Sequence, residues 1–222
     1  IIANPNCSTI IMVMALKPIY DLAKIKRVIV STYQAVSGAG KEGIDELDAQ
    51  VREHSEGREM TANILPSASA EKHYPIAFNL IPQIDVFCDN LYTKEEMKMV
   101  NETKKIMEDY EMRITAATIR VPVYRSHSES VNIELEKEVD LGAMREALAK
   151  FPGVTVQDDP SKQEYPMPLY TSEKDDVYVG RLRRDESCEK SYNMWVVGDQ
   201  IRKGAALNTL QIAETMIKNG WI

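Results

Sequence analysis

The sequence predicts an α+β fold, a mixed, largely antiparallel sheet covered by helices. Runs rich in β-branched residues, such as Ile25–Gln34 and Tyr192–Val197, are interspersed with longer stretches of helical composition. Several of these runs follow one another across short, turn-like gaps, as hairpin strands do, rather than across helix-length crossovers. The chain has 222 residues, 44% hydrophobic and 27% charged, which is enough to bury a sizeable core without disulfides.

Taken in order, Asn4-Pro5-Asn6 is a turn signature, and Ser8–Leu22 has helical composition with Pro18 as an expected kink or break. Ile25–Gln34 reads as a buried strand, residues 37–40 as a glycine turn, and Lys41–His54 as a charged amphipathic helix. Residues 55–75 mix Gly, Ser and Pro and read as a surface loop, and Ala77–Gln83 reads as extended. Thr93 with Glu96 three residues on forms a capping box for a helix reaching about Tyr110. Thr115–Tyr124 and Ser130–Lys137 are expected to be antiparallel neighbours. Asp140 caps a helix to Lys150, Val154–Val156 is a short strand, and residues 157–173 are loop. Val177–Arg183 and Tyr192–Val197 are strands, and a helix over 200–218 ends the pattern.

Composition excludes several functions. A net charge of −7 gives no basic field for nucleic acid or anionic lipid, and no apolar run is long enough to span a membrane. Three cysteines, Cys7, Cys88 and Cys188, with no CxxC spacing, suit neither a disulfide framework nor a zinc site, so reduced thiols and a cytoplasmic location are expected. The opening Ile1-Ile2-Ala3 runs straight into the turn like the tail of a strand already under way, so the chain is expected to begin inside a larger protein.

Cys7 follows the turn and opens the first helix, where free backbone N–H groups and the dipole favour a thiolate, the form that attacks carbonyl carbon. Most lone cysteines are instead buried structural residues, and position does not separate the two readings. The letters around it add to the signal. Asn4-Pro5-Asn6-Cys7-Ser8-Thr9 resembles the active-site segment of bacterial aspartate-semialdehyde dehydrogenases. The segments at 31–40 (STYQAVSGAG), 102–105 (ETKK), 120–123 (RVPV), 127–130 (HSES) and 202–208 (RKGAALN) continue the resemblance in order across the whole chain.

The resemblance implies a catalytic and dimerisation domain over 1–200, similar to the C-terminal domain of glyceraldehyde-3-phosphate dehydrogenases. The helix at 201–222 would pack on an N-terminal NADP-binding domain absent from this sequence. It implies NADP-dependent conversion of L-4-aspartyl phosphate to aspartate 4-semialdehyde through a cysteine thioester, serving lysine, threonine, methionine and diaminopimelate synthesis. Cys7 is then the nucleophile, His127 its acid/base, and Gln34 the residue orienting substrate and nucleophile. Arg120 takes the substrate carboxylate, Glu102 its amino group and Lys105 the phosphate, and Asn6, beside the nucleophile, is a further substrate-binding residue. Ser37, Gly38 and Asn208 face the cofactor. Inorganic phosphate is the co-substrate, and a homodimer or homotetramer is implied.

Without the resemblance each residue has a plainer reading. His127 in a Ser/Glu turn is equally an exposed histidine, Gln34 a strand-end amide, and Arg120 the solvent face of a half-buried strand. Glu102 and Lys105, with Glu95 and Lys98 on the same face, read as a solvated stripe of i,i+3 pairs. Residues 38–43 spell GxGxxG between a strand and a helix, the setting of a dinucleotide fingerprint. Lys41-Glu42 in the tight stretch and the long loop after the helix argue against that site.

Two alternatives remain at this level. One is the related N-acetyl-glutamyl-phosphate reductase, where Asn6 would be expected as Gly. The other is a dimerisation module that has lost catalysis. On the main resemblance, with the nucleotide-binding domain absent from this sequence, the chain alone is expected to bind cofactor poorly and turn over little or no substrate.

Overall fold

A computed structural model describes residues 1–222. Helix α1 (Cys7–Leu22) leads into β1 (Ile25–Gln34), and after a short turn comes α2 (Lys41–Ser55). A long excursion precedes α3 (Lys94–Ile106), β2 (Arg113–Arg120) and β3 (His127–Leu135). Then follow α4 (Leu141–Lys150), β4 (Val154–Val156), α5 (Pro168–Thr171), β5 (Val177–Arg184), β6 (Ser191–Gly198) and α6 (Leu207–Lys218).

The strands form one six-stranded sheet in the order β2-β1-β3-β6-β5-β4. The β1/β3, β3/β6 and β6/β5 pairs are antiparallel, and β1/β2 and β5/β4 are parallel. This is the expected mixed, largely antiparallel class. One pairing differs: β2 and β3 are not neighbours, because β1 lies between them. The six residues 121–126 need only step over one strand, roughly 10 Å, which a short extended link spans.

Helix α1 is the core's main covering. Its Ile11, Met12, Ala15, Leu16 and Ile19 are fully buried and join Val28, Val30, Val131, Ile133, Met194 and Val196 of the sheet in one cluster. Pro18 does not break the helix, which runs on to Leu22 with Pro18 itself buried. The proline removes one main-chain bond, and packing on the sheet holds the last turn in place.

The excursion between α2 and α3 is pinned by α2. The Glu46 carboxylate accepts from the Asn63 and Ile64 amides at 3.0 and 2.8 Å. The Gln50 amide oxygen accepts from Ile76 and Ala77 at 2.8 and 2.9 Å. Residues 77–83, expected to be extended, contribute only an isolated bridge between Ile81 and Arg120. The expected capping box at Thr93 and Glu96 is present. The C-terminal helix begins as a π-helical turn over Arg202–Ala206, and none of α6 is buried.

This topology gathers one end of the sheet. Parallel β1 and β2 end at Gln34 and Arg120, antiparallel β3 begins there at His127, and β6 ends at Gly198. The first turn of α1 lies over the same end.

Candidate active site

Asn6 caps α1, its side-chain oxygen accepting from the Thr9 amide at 3.0 Å. Two carboxylates of α3 hold Asn6 in turn: Glu102 accepts from its backbone N–H at 2.7 Å, and Glu95 from its side-chain amide at 2.8 Å. The next residue, Cys7, presents its sulfur 3.4 Å from His127 Nε2. On the other side of the ring, Nδ1 accepts from the Ala35 amide at 3.1 Å.

Gln34 closes the ring of contacts. Its amide donates to Thr32 Oγ1 and to Glu95, both at 3.3 Å. Arg120, 3% exposed, donates from Nη1 to the Ala35 carbonyl at 2.7 Å, and its Nε has no partner. It is thus a buried guanidinium with donor capacity to spare, not a solvent-facing strand residue. Gly38 closes the turn over this pair. A Cβ there would lie 2.5 Å from Arg120 Nη1 and 3.2 Å from His127 Cε1, so any side chain would displace the guanidinium.

The Ser37 hydroxyl accepts from Gln200 Nε2 at 2.5 Å, and Gln200 Oε1 accepts from the Ser126 amide, just ahead of His127, at 2.9 Å. The turn after β6 is set by buried Asp199, which accepts from the Ile201 and Arg202 amides and pairs with Arg125 at 2.6 Å. That turn brings Gly204 against Cys7, where an added Cβ would come within 3.0 Å of the cysteine's own. Asn208 lies further out, donating to Asn4 at 2.8 Å and accepting from Lys203 at 3.1 Å.

Cys7, His127, Gln34, Arg120, Asn6, Glu102, Ser37 and Gly38 are therefore brought together. Lys105 is not: it is exposed on the last turn of α3 and its side chain makes no hydrogen bond. The lysine beside the site is Lys98, which bridges Glu95 at 3.5 Å and Asp85 at 3.2 Å. Glu95, 6% exposed, and Gln200 are site residues that the motifs did not single out. By sequence pattern alone Glu95 belongs to the charged stripe of α3.

The electrostatics of the packed chain run against a resting thiolate. Burial pushes the Cys7 thiol up to about 12, and the Glu95 carboxylate adds to the rise. The Ser8 amide and Arg120 pull the other way without prevailing. Burial, reinforced by Arg120, holds His127 well below its ordinary value. Glu129, two residues along β3 and fully buried with no partner for either oxygen, is pushed well above the usual carboxylate range by burial alone. At rest the pair is a neutral thiol beside a neutral imidazole. The GxGxxG stretch forms no phosphate cradle, since Gly43 lies inside α2, where a Cβ would strike the Val36 carbonyl at 2.5 Å.

A cysteine and a histidine in contact at a helix start, with a buried arginine and glutamate alongside, thus form one cluster at the sheet end of an α+β domain. The chain belongs to the family described as semialdehyde dehydrogenase, dimerisation domain, whose pattern matches residues 16–203. It is 54% identical over 222 residues to the aspartate-semialdehyde dehydrogenase of Aquifex aeolicus (strain VF5), spanning 100% of this chain and 64% of that protein. It is 51% identical over 219 residues to that of Bacillus subtilis (strain 168), spanning 98% and 63%. The fold matches the crystal structure of aspartate semialdehyde dehydrogenase II from Vibrio cholerae complexed with ASA. The TM-score is 0.91 at 45% identity, over 98% of this chain and 62% of the other. This chain thus corresponds to somewhat under two thirds of these relatives.

Proposed function

We propose that this chain supplies the thioester-forming half of an aspartate-semialdehyde dehydrogenase. The observation that carries the reading is the Cys7–His127 contact at 3.4 Å, flanked by Arg120 and Glu95. The Cys7 sulfur attacks the acyl carbon of L-4-aspartyl phosphate. The S–C bond forms, the C–O bond to phosphate breaks, and the departing phosphate carries off the thiol proton as hydrogen phosphate. His127 is the acid/base partner at the sulfur. Arg120, with its unpartnered Nε, takes the substrate carboxylate, and Glu95 suits the amino group. Gln34 and Asn6 hold Glu95 and the nucleophile in register. Lys98, not Lys105, is the cation placed for phosphate.

NADP, when bound, gives or takes the hydride. The chain's contribution to its nicotinamide end is the turn at Ser37 and Gly38. Ser37 Oγ accepts from Gln200 and so keeps its own proton free to donate. Asn208 has its amide engaged at both ends and is proposed to act by fixing Asn4 and Lys203. Ile2, Met14, Ile212 and Trp221 line a cavity of about 780 Å³ beside α6. We propose that the portion of the protein the relatives carry beyond this match packs there.

The face of the sheet opposite α1 carries the Tyr33–Trp195 ring pair, with centroids 5.6 Å apart. It is proposed as the face that pairs two copies into a homodimer, in keeping with the family description. No helix of the chain is long and apolar enough to cross a membrane.

The test needs no cofactor. The chain is mixed with L-4-aspartyl phosphate, quenched with acid and freed of unreacted acyl phosphate; one portion is digested for mass spectrometry of the Cys7 peptide, and hydroxylamine is added to the other to release any thioester as hydroxamate. An acyl adduct and a hydroxamate that vanish in Cys7→Ser are expected, with none from N-acetyl-glutamyl phosphate. A titratable Cys7 that never acylates sinks the reading.

A further inference from the structure

The chemistry above leaves one buried ionisable group beside the nucleophile unused, Glu129. Side chains alternate along β3, so His127, Glu129, Val131 and Ile133 share the face turned to α1, the last two within the main core cluster. Glu129 is fully buried, and neither carboxyl oxygen has a partner within the protein. Its cross-strand neighbours, Thr32 of β1 and Val196 of β6, carry no charge. Ser8, on the first turn of α1, faces the same sheet. It shares a stripe of the helix with Ala15 and Ile19, which belong to the core cluster, and its buried hydroxyl is also unpartnered.

No charge offsets this burial. The ionisable groups around the space are Cys7 of α1, His127 of β3 itself, Arg120 of β2 and Glu95 of α3. Arg120 donates to the Ala35 carbonyl, and Glu95 is engaged with Asn6, Gln34 and Lys98. His127, held well below its ordinary value, offers no countercharge at neutral pH and above. An isolated carboxylate in such a place costs far more than a neutral acid, and burial alone holds Glu129 well above the usual carboxylate range. Cys7 is close enough to feel the charge once it forms, since a Glu129 carboxylate is among the influences that raise the thiol.

We infer that Glu129 is a positioning residue for the nucleophile's charge: as a neutral acid it keeps the space under the first turn of α1 uncharged, so that the anion formed there is the Cys7 thiolate. Once Glu129 ionises, each anion hinders the other. Glu129 touches no substrate and acts through Cys7, and His127 keeps its acid/base role at the sulfur. The inference deepens the reading of Cys7 as the acyl acceptor and rests on it.

The experiment reads ionisation, not turnover. Iodoacetamide labelling of Cys7 is followed from about pH 6 to about pH 10, the range in which buried glutamates are known to titrate. The logarithm of the rate should rise along one line, step down as Glu129 ionises, and continue on a parallel line about threefold lower, the effect of half a pK unit. The step is set below the effect expected of Glu95, because Glu95 acts more strongly on the thiol. Glu129→Gln is neutral and of nearly the same shape. It should match the unmodified chain below the step and label about threefold faster above it. The second measurement is infrared. After 13C-glutamate labelling, a protonated carboxyl band should be present at neutral pH, be absent from Glu129→Gln, and bleach at the pH of the step.

One unbroken line for the unmodified chain overturns the proposal, as does a step that survives in Glu129→Gln. A glutamine variant that differs below the step, or no protonated band at neutral pH, also overturns it. Should the variant not fold, the unmodified chain decides alone, because the step and the loss of the band must fall at the same pH. A missing thioester with the step intact would count against the acyl-transfer reading and not against this one.

Discussion

Removing the Glu95 carboxylate should make Cys7 more reactive, because the thiol of this site is suppressed, not activated, at rest. A cysteine on the first turn of a helix gains from free amides and the dipole. Here desolvation outweighs that gain, and the thiol stands at about 12 against an ordinary 9.0. Three units amount to about a thousandfold less thiolate at any pH well below both values. Glu95 is the largest contributor after burial, and loss of one nearby like charge is worth about one unit, or tenfold, at the low end of measured cases. The assay is iodoacetamide labelling across pH, followed peptide by peptide, with exposed Cys188 and half-buried Cys88 as internal controls. In the wild-type chain Cys7 should label far more slowly than Cys188 at neutral pH, and Glu95→Gln should accelerate Cys7 alone. If Cys7 out-reacts Cys188 at neutral pH, or Glu95→Gln leaves its profile unmoved, burial and Glu95 do not govern the thiol and the argument fails.

Gly38→Ala should leave the urea midpoint almost unchanged yet depress hydroxamate yield by about a hundredfold, the scale set by roughly 1 Å of misplacement at a reacting centre. The added carbon would lie 2.5 Å from Arg120 Nη1. Gln50→Ala strips partners from the Ile76 and Ala77 amides and the Thr61 carbonyl, and should cost about 3 kcal/mol or more in urea denaturation. An undiminished midpoint would show that the excursion is held elsewhere. Glu129 holds its proton above the ordinary 4.5, so its stabilising effect is full below that pH and is lost as pH rises toward the folded value. Glu129→Gln should therefore flatten the fall in stability between about pH 5 and about pH 8, and an unaltered slope would mean the buried carboxyl is not neutral. His127, held below its ordinary 6.5, works the other way, and His127→Gln should lessen the loss of stability as pH falls through that value.

The sequence carried the elements well, because each is set by local pattern: the β-branched run of β1, the capping box at Thr93, the Asp140 cap. It carried the pairing less well. β2 and β3 are close in the chain, and nothing local says that β1, many residues earlier, takes the place between them. The site shows the same division. Cys7, Gln34, Arg120 and His127 were readable because motifs mark them, and the sheet topology then brings them to one end. The choice between Glu95/Lys98 and Glu102/Lys105 was not readable. The two pairs are seven residues apart, two helical turns, and so share one face of α3. Only the crossing of α3 over the start of α1 decides which turn meets the nucleophile. There Glu102 reaches the Asn6 backbone, Glu95 reaches Asn6, Gln34 and Lys98, and Lys105 overshoots into solvent. The thiol's state is hidden from the sequence for a related reason. A helix start is visible in the letters, whereas desolvation is a property of the finished packing, and in this site it is the larger effect. A centre built so can keep its nucleophile quiet until substrate arrives. Bound phosphate, carboxylate and ammonium would change the very charges, Arg120, Lys98 and Glu95, that surround the sulfur. On the proposed function, the acyl phosphate itself would then supply the final acceptor for the proton that the repressed Cys7 thiol must lose.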